Sequence, residues 1–381
     1  PGALYAKDVY RRSEFDSAPG MNGSQCVDIA AQILAHPANK FKIMMGGGHA
    51  QYLPNSIGGN RTDDRNIEDE WKALQPEYRA TKRVLLTDLD EFSGHKVEDD
   101  QQVLGLFAPY NIPYHKDDIA ESRTSAPRLW EMAVKAIQVL QKQKDSKGYF
   151  LMIEGALIDK AEHMNKFHLA TEELNEFDLA IEKVTKMVGN DTLILVTADH
   201  AHALTLPGYT KKDHSIFDRD GEVAQVFFVT GPGFSTPKNY TLQEAGDIHF
   251  AQPTTHFDEK GRHGGEDVGI WSHGPFSWLF SGGMENTQIA YNIKYLLCLD
   301  DEEPNLCDLR KSQRDQRDKL VKAAQENEDA RNNIFGTSIS YKLAAIVLLC
   351  VAVAAILAVI VLSVLLCLSR KKTAVTPSDK S

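Results

Sequence analysis

Residues 192–198 read Thr-Leu-Ile-Leu-Val-Thr-Ala, a run too apolar and too β-branched to lie half in water. A strand of this kind is buried on both faces. Burial on both faces needs helices above and below, and the flanking sequence offers them. Residues 127–144 place Leu129, Met132, Ala133, Ala136, Ile137 and Leu140 on one helical face, and Leu174, Phe177, Ala180, Ile181 and Val184 form a second such stripe. Further strands are expected at 41–45, 149–153 and 223–230, and a helix at 25–36. This alternation predicts an α/β fold with a mainly parallel central sheet and helices on both faces. The polar region 55–70 reads as loop. The triplet Gly46-Gly47-Gly48 lacks the Lys and Ser/Thr of a P-loop, so a tight strand-to-loop turn is favoured over a phosphate cradle.

The 381 residues, 42% hydrophobic and 25% charged, are globular in composition, and a net charge of -11 argues against a nucleic-acid surface. Irregular polarity marks an insertion at about 208–260. After a catalytic-type domain at 1–309, residues 310–341 turn charged and Gln/Asn-rich, as in a polar stalk. Residues 343–368 then carry no charge, about 26 positions, enough to cross a hydrocarbon core of about 30 Å. A transmembrane helix is therefore placed at 342–369. Arg370, Lys371 and Lys372 outnumber Lys342, which puts the tail 370–381 in the cytosol and the rest outside a plasma membrane. Polar residues beyond the span favour a retained helix over a lipid-anchor signal. Cys298 and Cys307 bracket a short polar loop and suggest a disulfide, whereas Cys26 has no local partner. Sequons at Asn22, Asn60, Asn190 and Asn239 fit an exported glycoprotein; Asn190, next to the strand at 192–198, is the one expected to stay bare.

Three clusters offer metal-ligating side chains: Glu154, Asp159 and His163; Asp199 and His200; and His263. If a helix begins near Ile158, Asp159 and His163 lie one turn apart on one face and can grip one ion. Mixed carboxylate and imidazole ligands suit zinc, and a carboxylate away from imidazoles suits magnesium. Two close zinc ions suit in-line displacement at phosphorus. Arg11 and Arg12 read locally as a solvated pair.

At these positions the chain resembles the alkaline phosphatases. The motifs Glu154-Gly-Ala-Leu-Ile-Asp159-Lys160-Ala-Glu-His163, Thr197-Ala-Asp199-His200-Ala-His202 and His263-Gly-Gly-Glu-Asp-Val occur in that family's order, over roughly residues 1–308. The resemblance implies two zinc ions and one magnesium. Asp159, His163 and His263 would hold the first zinc, Asp199 and His200 the second, and Glu154 the magnesium. His202 would orient a zinc-bound carboxylate, Arg11 would bind phosphate, and Lys160 would touch phosphate through water. The implied activity is hydrolysis of phosphate monoesters through a phosphoserine, in a homodimer.

Departures from the family pattern carry their own expectations. The serine nucleophile, a shared carboxylate and the partner of Cys26 belong ahead of Pro1, so this stretch alone is expected not to turn over. Asp16-Ser17-Ala18 imitates the nucleophile motif but follows Arg11 rather than preceding it. Ala108 stands where animal members carry an acidic calcium ligand, so no calcium site is expected. Two other readings stay open: a phosphodiesterase of the same metallohydrolase superfamily, and a non-catalytic membrane glycoprotein.

Overall fold

The structure, a computed structural model, describes residues 27–35, 37–74, 82–121, 126–144, 146, 148–207, 212–220, 223–237, 239–299, 315–316 and 319–326. In chain order the elements are α1 (Ile29–Gln32), β1 (Ile43–Gly46), α2 (Ile67–Ala73), β2 (Arg83–Leu86), α3 (Leu89–Gly94), β3 (Gln102–Leu106), α4 (His115–Ala120), α5 (Leu129–Gln141), α6 (Ala156–His163) and α7 (Phe167–Met187). There follow β4 (Ile194–Thr197), β5 (Ala201–His202), β6 (Leu204–Thr205), β7 (Arg219–Asp220), β8 (Val223–Ala224), β9 (Phe227–Gly231), α8 (Leu242–Ala245), β10 (Thr254–Phe257), β11 (His263–Gly264), β12 (Ile270–His273) and α9 (Asn286–Leu296). Two compact units divide the chain, Pro1–Gly283 and Met284–Ser381.

In the first unit, β1, β3 and β2 form a parallel sheet with β3 in the centre. Its two faces sort residues by parity. Met44, Leu104 and Leu106 pack with Ala30, Ala31 and Ile33 of α1 and the start of the following turn, and with Ile67 and Trp71 of α2. Ile43, Met45, Val103 and Leu86 face Phe92 of α3 and Met132 and Val139 of α5. Side chains alternate across a strand, so both faces are apolar and both are covered by helices. That is the α/β arrangement expected, and α5 falls within the predicted 127–144.

Several expectations need correction. Residues 55–70 are not all loop: α2 starts at Ile67 because Asn66 caps it, its side chain accepting from Asp69 N at 3.2 Å. β2 and β3, including the fully buried centre of the parallel sheet, were not expected at all. Residues 149–153 form no strand, and Phe150 and Met152 are exposed. A strand exists only where a neighbour takes up its N–H and C=O groups, and no described strand flanks this run. β4 falls within 192–198, but it pairs antiparallel with β12 and is only half-buried. The strand expected at 223–230 is split into β8 and β9. Within 208–260, β10 runs parallel to β9 as part of a sheet, so that region is more regular than its polarity suggests.

The glycine triplet is a turn. A Cβ on Gly47 would lie 1.9 Å from Tyr110 O, and Gly48 sits at φ 91 while its N–H donates to Tyr110 O at 2.6 Å. Among the described residues no helix is long and apolar enough to cross a membrane. The expected span at 342–369, its tail, Arg11, Ser17, Asn22, Cys26 and Cys307 lie outside the described residues. Cys298 is disulfide-bonded.

Candidate metal centre

Helix α6 opens after Gly155 and turns Asp159 and His163 onto one face, their carboxylate and Nε2 3.4 Å apart. Opposite stands an antiparallel ribbon in which His263 of β11 is directly paired with His202 of β5. Asp159, His200, His202 and His263 each present one ligand atom, all within 4.8 Å of one another. Asp159 is the centre of the group. Its oxygens lie 2.7 Å from His202 Nε2, 3.3 Å from His263 Nε2 and 3.8 Å from His200 Nε2.

Hydrogen bonds outside the cluster decide which ring nitrogens are free. His163 Nδ1 lies 2.5 Å from the Gly261 carbonyl, which can only accept, so Nδ1 carries the proton and neutral His163 keeps its lone pair on Nε2. That Nε2 faces His263 Nε2 at 3.1 Å. His200 Nδ1 similarly donates to Ala201 O at 3.2 Å, which leaves its Nε2 toward Asp159 and, at 3.3 Å, Asp199. His200 and His263 stack with centroids 3.5 Å apart. Lone pairs converging beside a carboxylate repel one another unless a cation or proton lies among them, and imidazole nitrogens beside a carboxylate are the donor types zinc takes. The residues present therefore fit a divalent metal.

His202 is arranged differently. Its Nε2–H donates to Asp159 Oδ1, while its buried Nδ1 has no hydrogen-bond partner among the described residues. Burial lowers its pKa, against the opposing pull of Asp159. A neutral ring held this way orients the carboxylate. Nearby, burial together with the Asp159 charge pushes the Glu162 carboxyl up to about 7, and its carboxylate lies 3.8 Å from His202 Nε2.

Other expected site residues are not members of the group of four, although Asp199 borders it at His200. Glu154 is exposed just ahead of α6, and the Asp199 side chain is 85% exposed. Lys160, on the exposed side of α6, donates from Nζ to Asn111 Oδ1 at 2.8 Å, and burial and then Lys260 lower its pKa. Sequence reasoning did not find Gly261, whose carbonyl fixes the His163 ring, or Asn111. Only distant backbone pairing brings these groups in, so no local pattern marks them.

A family model described as alkaline phosphatase matches residues 1–299. The membrane-bound alkaline phosphatase of Bombyx mori is 30% identical over 323 residues, covering 78% of this chain and 58% of the relative. The human tissue-nonspecific isozyme is 30% identical over 326 residues, covering 78% and 60%. Alkaline phosphatase 4 of Drosophila melanogaster is 31% identical over 344 residues, covering 78% and 56%. The chain thus spans less than two thirds of the length of these relatives. Among solved structures, Thermus thermophilus alkaline phosphatase is 25% identical with a TM-score of 0.40, covering 48% of this chain and 35% of that one. A mutant of TAB5 alkaline phosphatase is 23% identical with a TM-score of 0.45, covering 70% and 62%. With the family model matched across the whole of the region that carries the metal-type cluster, the chain belongs to the alkaline phosphatase family.

Proposed function

We propose that the intact protein is a membrane-anchored ectophosphatase that hydrolyses phosphate monoesters with two zinc ions and one magnesium. The observation that carries this reading is the position of Asp159, with three imidazole Nε2 atoms 2.7 to 3.8 Å from its Oδ1 and that of His163 at 3.4 Å from its Oδ2. Asp159, His163 and His263 hold the first zinc, Asp199 and His200 contribute to the second, and Glu154 contributes to magnesium. When bound, the metals supply Lewis-acid polarisation of the phosphoryl group and lower the pKa of the attacking oxygen.

The chain's own residues prepare that site. The Gly261 carbonyl holds the His163 proton on Nδ1, so Nε2 is available without a tautomer change. His202 fixes one oxygen of Asp159. Arg11 pairs two phosphate oxygens through its planar guanidinium, and Lys160 reaches phosphate through water. The nucleophile is a serine that becomes phosphorylated. Support for membrane attachment comes from the uncharged run at 343–368 and from the similarity to the membrane-bound alkaline phosphatase of Bombyx mori. The catalytic domain at 1–309 is extracellular, followed by the stalk, the span and the cytosolic tail, and the protein is a homodimer.

The test is activity of the intact protein on an aryl phosphate monoester and on the matching diester, with and without zinc. Zinc-dependent turnover of the monoester and formation of an acid-stable phosphoenzyme are expected. Preference for the diester would select the phosphodiesterase reading. Metal binding without turnover would select the non-catalytic glycoprotein.

A further inference from the structure

Two residues beyond His163, Asn165 is fully buried and holds a left-handed backbone, φ 55, that few side chains other than Asn and Asp adopt. Three of its hydrogen bonds reach other elements, and a fourth closes the turn behind it. Nδ2 donates to Thr230 O at 3.1 Å, and Oδ1 accepts from Gly233 N at 3.0 Å. Its backbone carbonyl accepts from Gln252 N at 2.8 Å, and its own N–H donates to Glu162 O at 2.9 Å. The surroundings leave room for this amide and little else: a Cβ on Gly231 would lie 2.1 Å from Oδ1, and one on Gly261 would lie 3.1 Å from Nδ2.

These bonds lead back to the imidazoles from two directions. Asn165 closes the end of α6 that carries His163. Thr230, whose carbonyl it holds at the end of β9, in turn accepts from Arg262 N through its hydroxyl at 3.0 Å, one residue before His263. Between them Gly261 donates to His163 O at 2.7 Å and accepts from the His163 ring. One buried amide therefore joins the helix that supplies His163 to the segment that supplies His263.

We infer that Asn165 is the positioning residue that sets the spacing of His163 and His263 and thereby the zinc affinity of the site. This rests on the metal reading given above. Asn165→Gly keeps the backbone conformation accessible and removes both side-chain bonds. Partners that orient metal-binding groups are worth about 10–100-fold in affinity.

The experiment measures zinc affinity of the full chain by chelator competition, together with the visible spectrum of the cobalt-substituted protein and the melting temperature. Asn165→Gly is expected to bind zinc about 10–100-fold more weakly and to shift the cobalt bands. Leu104→Ala, a cavity in the remote parallel sheet, is expected to lower the melting temperature and leave both metal readouts unchanged. Should Asn165→Gly fail to fold, Thr230→Val tests the same chain of bonds at its next link, with the same direction expected. Wild-type affinity and an unshifted spectrum in the folded variant would overturn the role of Asn165 while leaving the metal site intact. Failure of the wild-type chain to bind zinc would overturn the metal reading itself, and the inference with it.

Discussion

The His202 imidazole, with its side chain 4% exposed, donates from Nε2 to an Asp159 carboxylate that is 40% exposed, across 2.7 Å. A buried ring thus pins a partly exposed carboxylate. If Asp159 is a zinc ligand, His202→Ala frees it to rotate, and zinc affinity is expected to fall about 10–100-fold with the secondary structure retained. Chelator competition measures this directly. Unchanged affinity would reduce His202 to a packing role.

Glu173 on α7 gives a pH dependence away from the metal centre. Burial pushes its carboxyl up to about 7, with the His115 backbone N–H at 2.8 Å opposing the shift. A carboxyl whose folded pKa lies above its unfolded value favours the protonated form on folding, so its contribution is fully present below about pH 4.5 and is lost as pH rises through about 7. Glu173→Gln keeps the acceptor and removes the titration. The variant is expected to match wild type near pH 5 and to exceed it by about 1–2 kcal/mol at pH 8, once solvent screening is allowed for. Urea unfolding at the two pH values checks it, and an equal difference at both would exclude this origin.

Arg61 is completely buried and donates to Asp28 from both terminal nitrogens, at 3.0 and 2.9 Å, and to Asp63 at 2.7 Å. Asp28 in turn caps α1 through Ala31 N at 3.1 Å. Removing one partner of a buried ion pair leaves a charge without compensation, so Arg61→Ala is expected to cost about 3–5 kcal/mol. The denaturation midpoint measures the loss. A change below about 1 kcal/mol would mean that water reaches the two aspartates.

The same arrangement bears on glycosylation. In the Asn60-Arg61-Thr62 sequon, Asn60 Nδ2 donates to the Tyr110 hydroxyl at 3.3 Å, and the middle residue is the buried Arg61. Asn190 and Asn239 instead lie exposed on turns. Peptide mapping of the protein from a secretory host is expected to find glycan at Asn190 and Asn239 and none at Asn60. For Asn190 this reverses the expectation drawn from its nearness to β4, because the chain turns outward at Asn190 before β4 begins.

What the sequence disclosed depended on whether the signal was local. The spacing of Asp159 and His163 is a property of one helix turn, and it was legible. Helical stripes such as Met132, Ala136, Ile137 and Leu140 were legible for the same reason. β3 was missed although it is wholly buried, since Gln102 and Gly105 interrupt its apolar pattern; Gln102 is accommodated by donating to Asn39 O at 2.8 Å and Phe41 O at 3.2 Å. The run 149–153 failed in the opposite sense, with strand composition but no neighbouring strand among the described residues. The pairing of His202 with His263, and the bonds of Asn165 and Gly261, join residues far apart in sequence. Only the fold reveals such contacts.

The most direct test is the zinc content of the purified full chain after dialysis against a weak chelator, wild type beside His263→Ala. If Asp159 and its surrounding imidazoles form a metal centre, wild type retains zinc and His263→Ala loses it, with circular dichroism unchanged. Equal zinc retention by the two proteins, or none in wild type, would contradict the account.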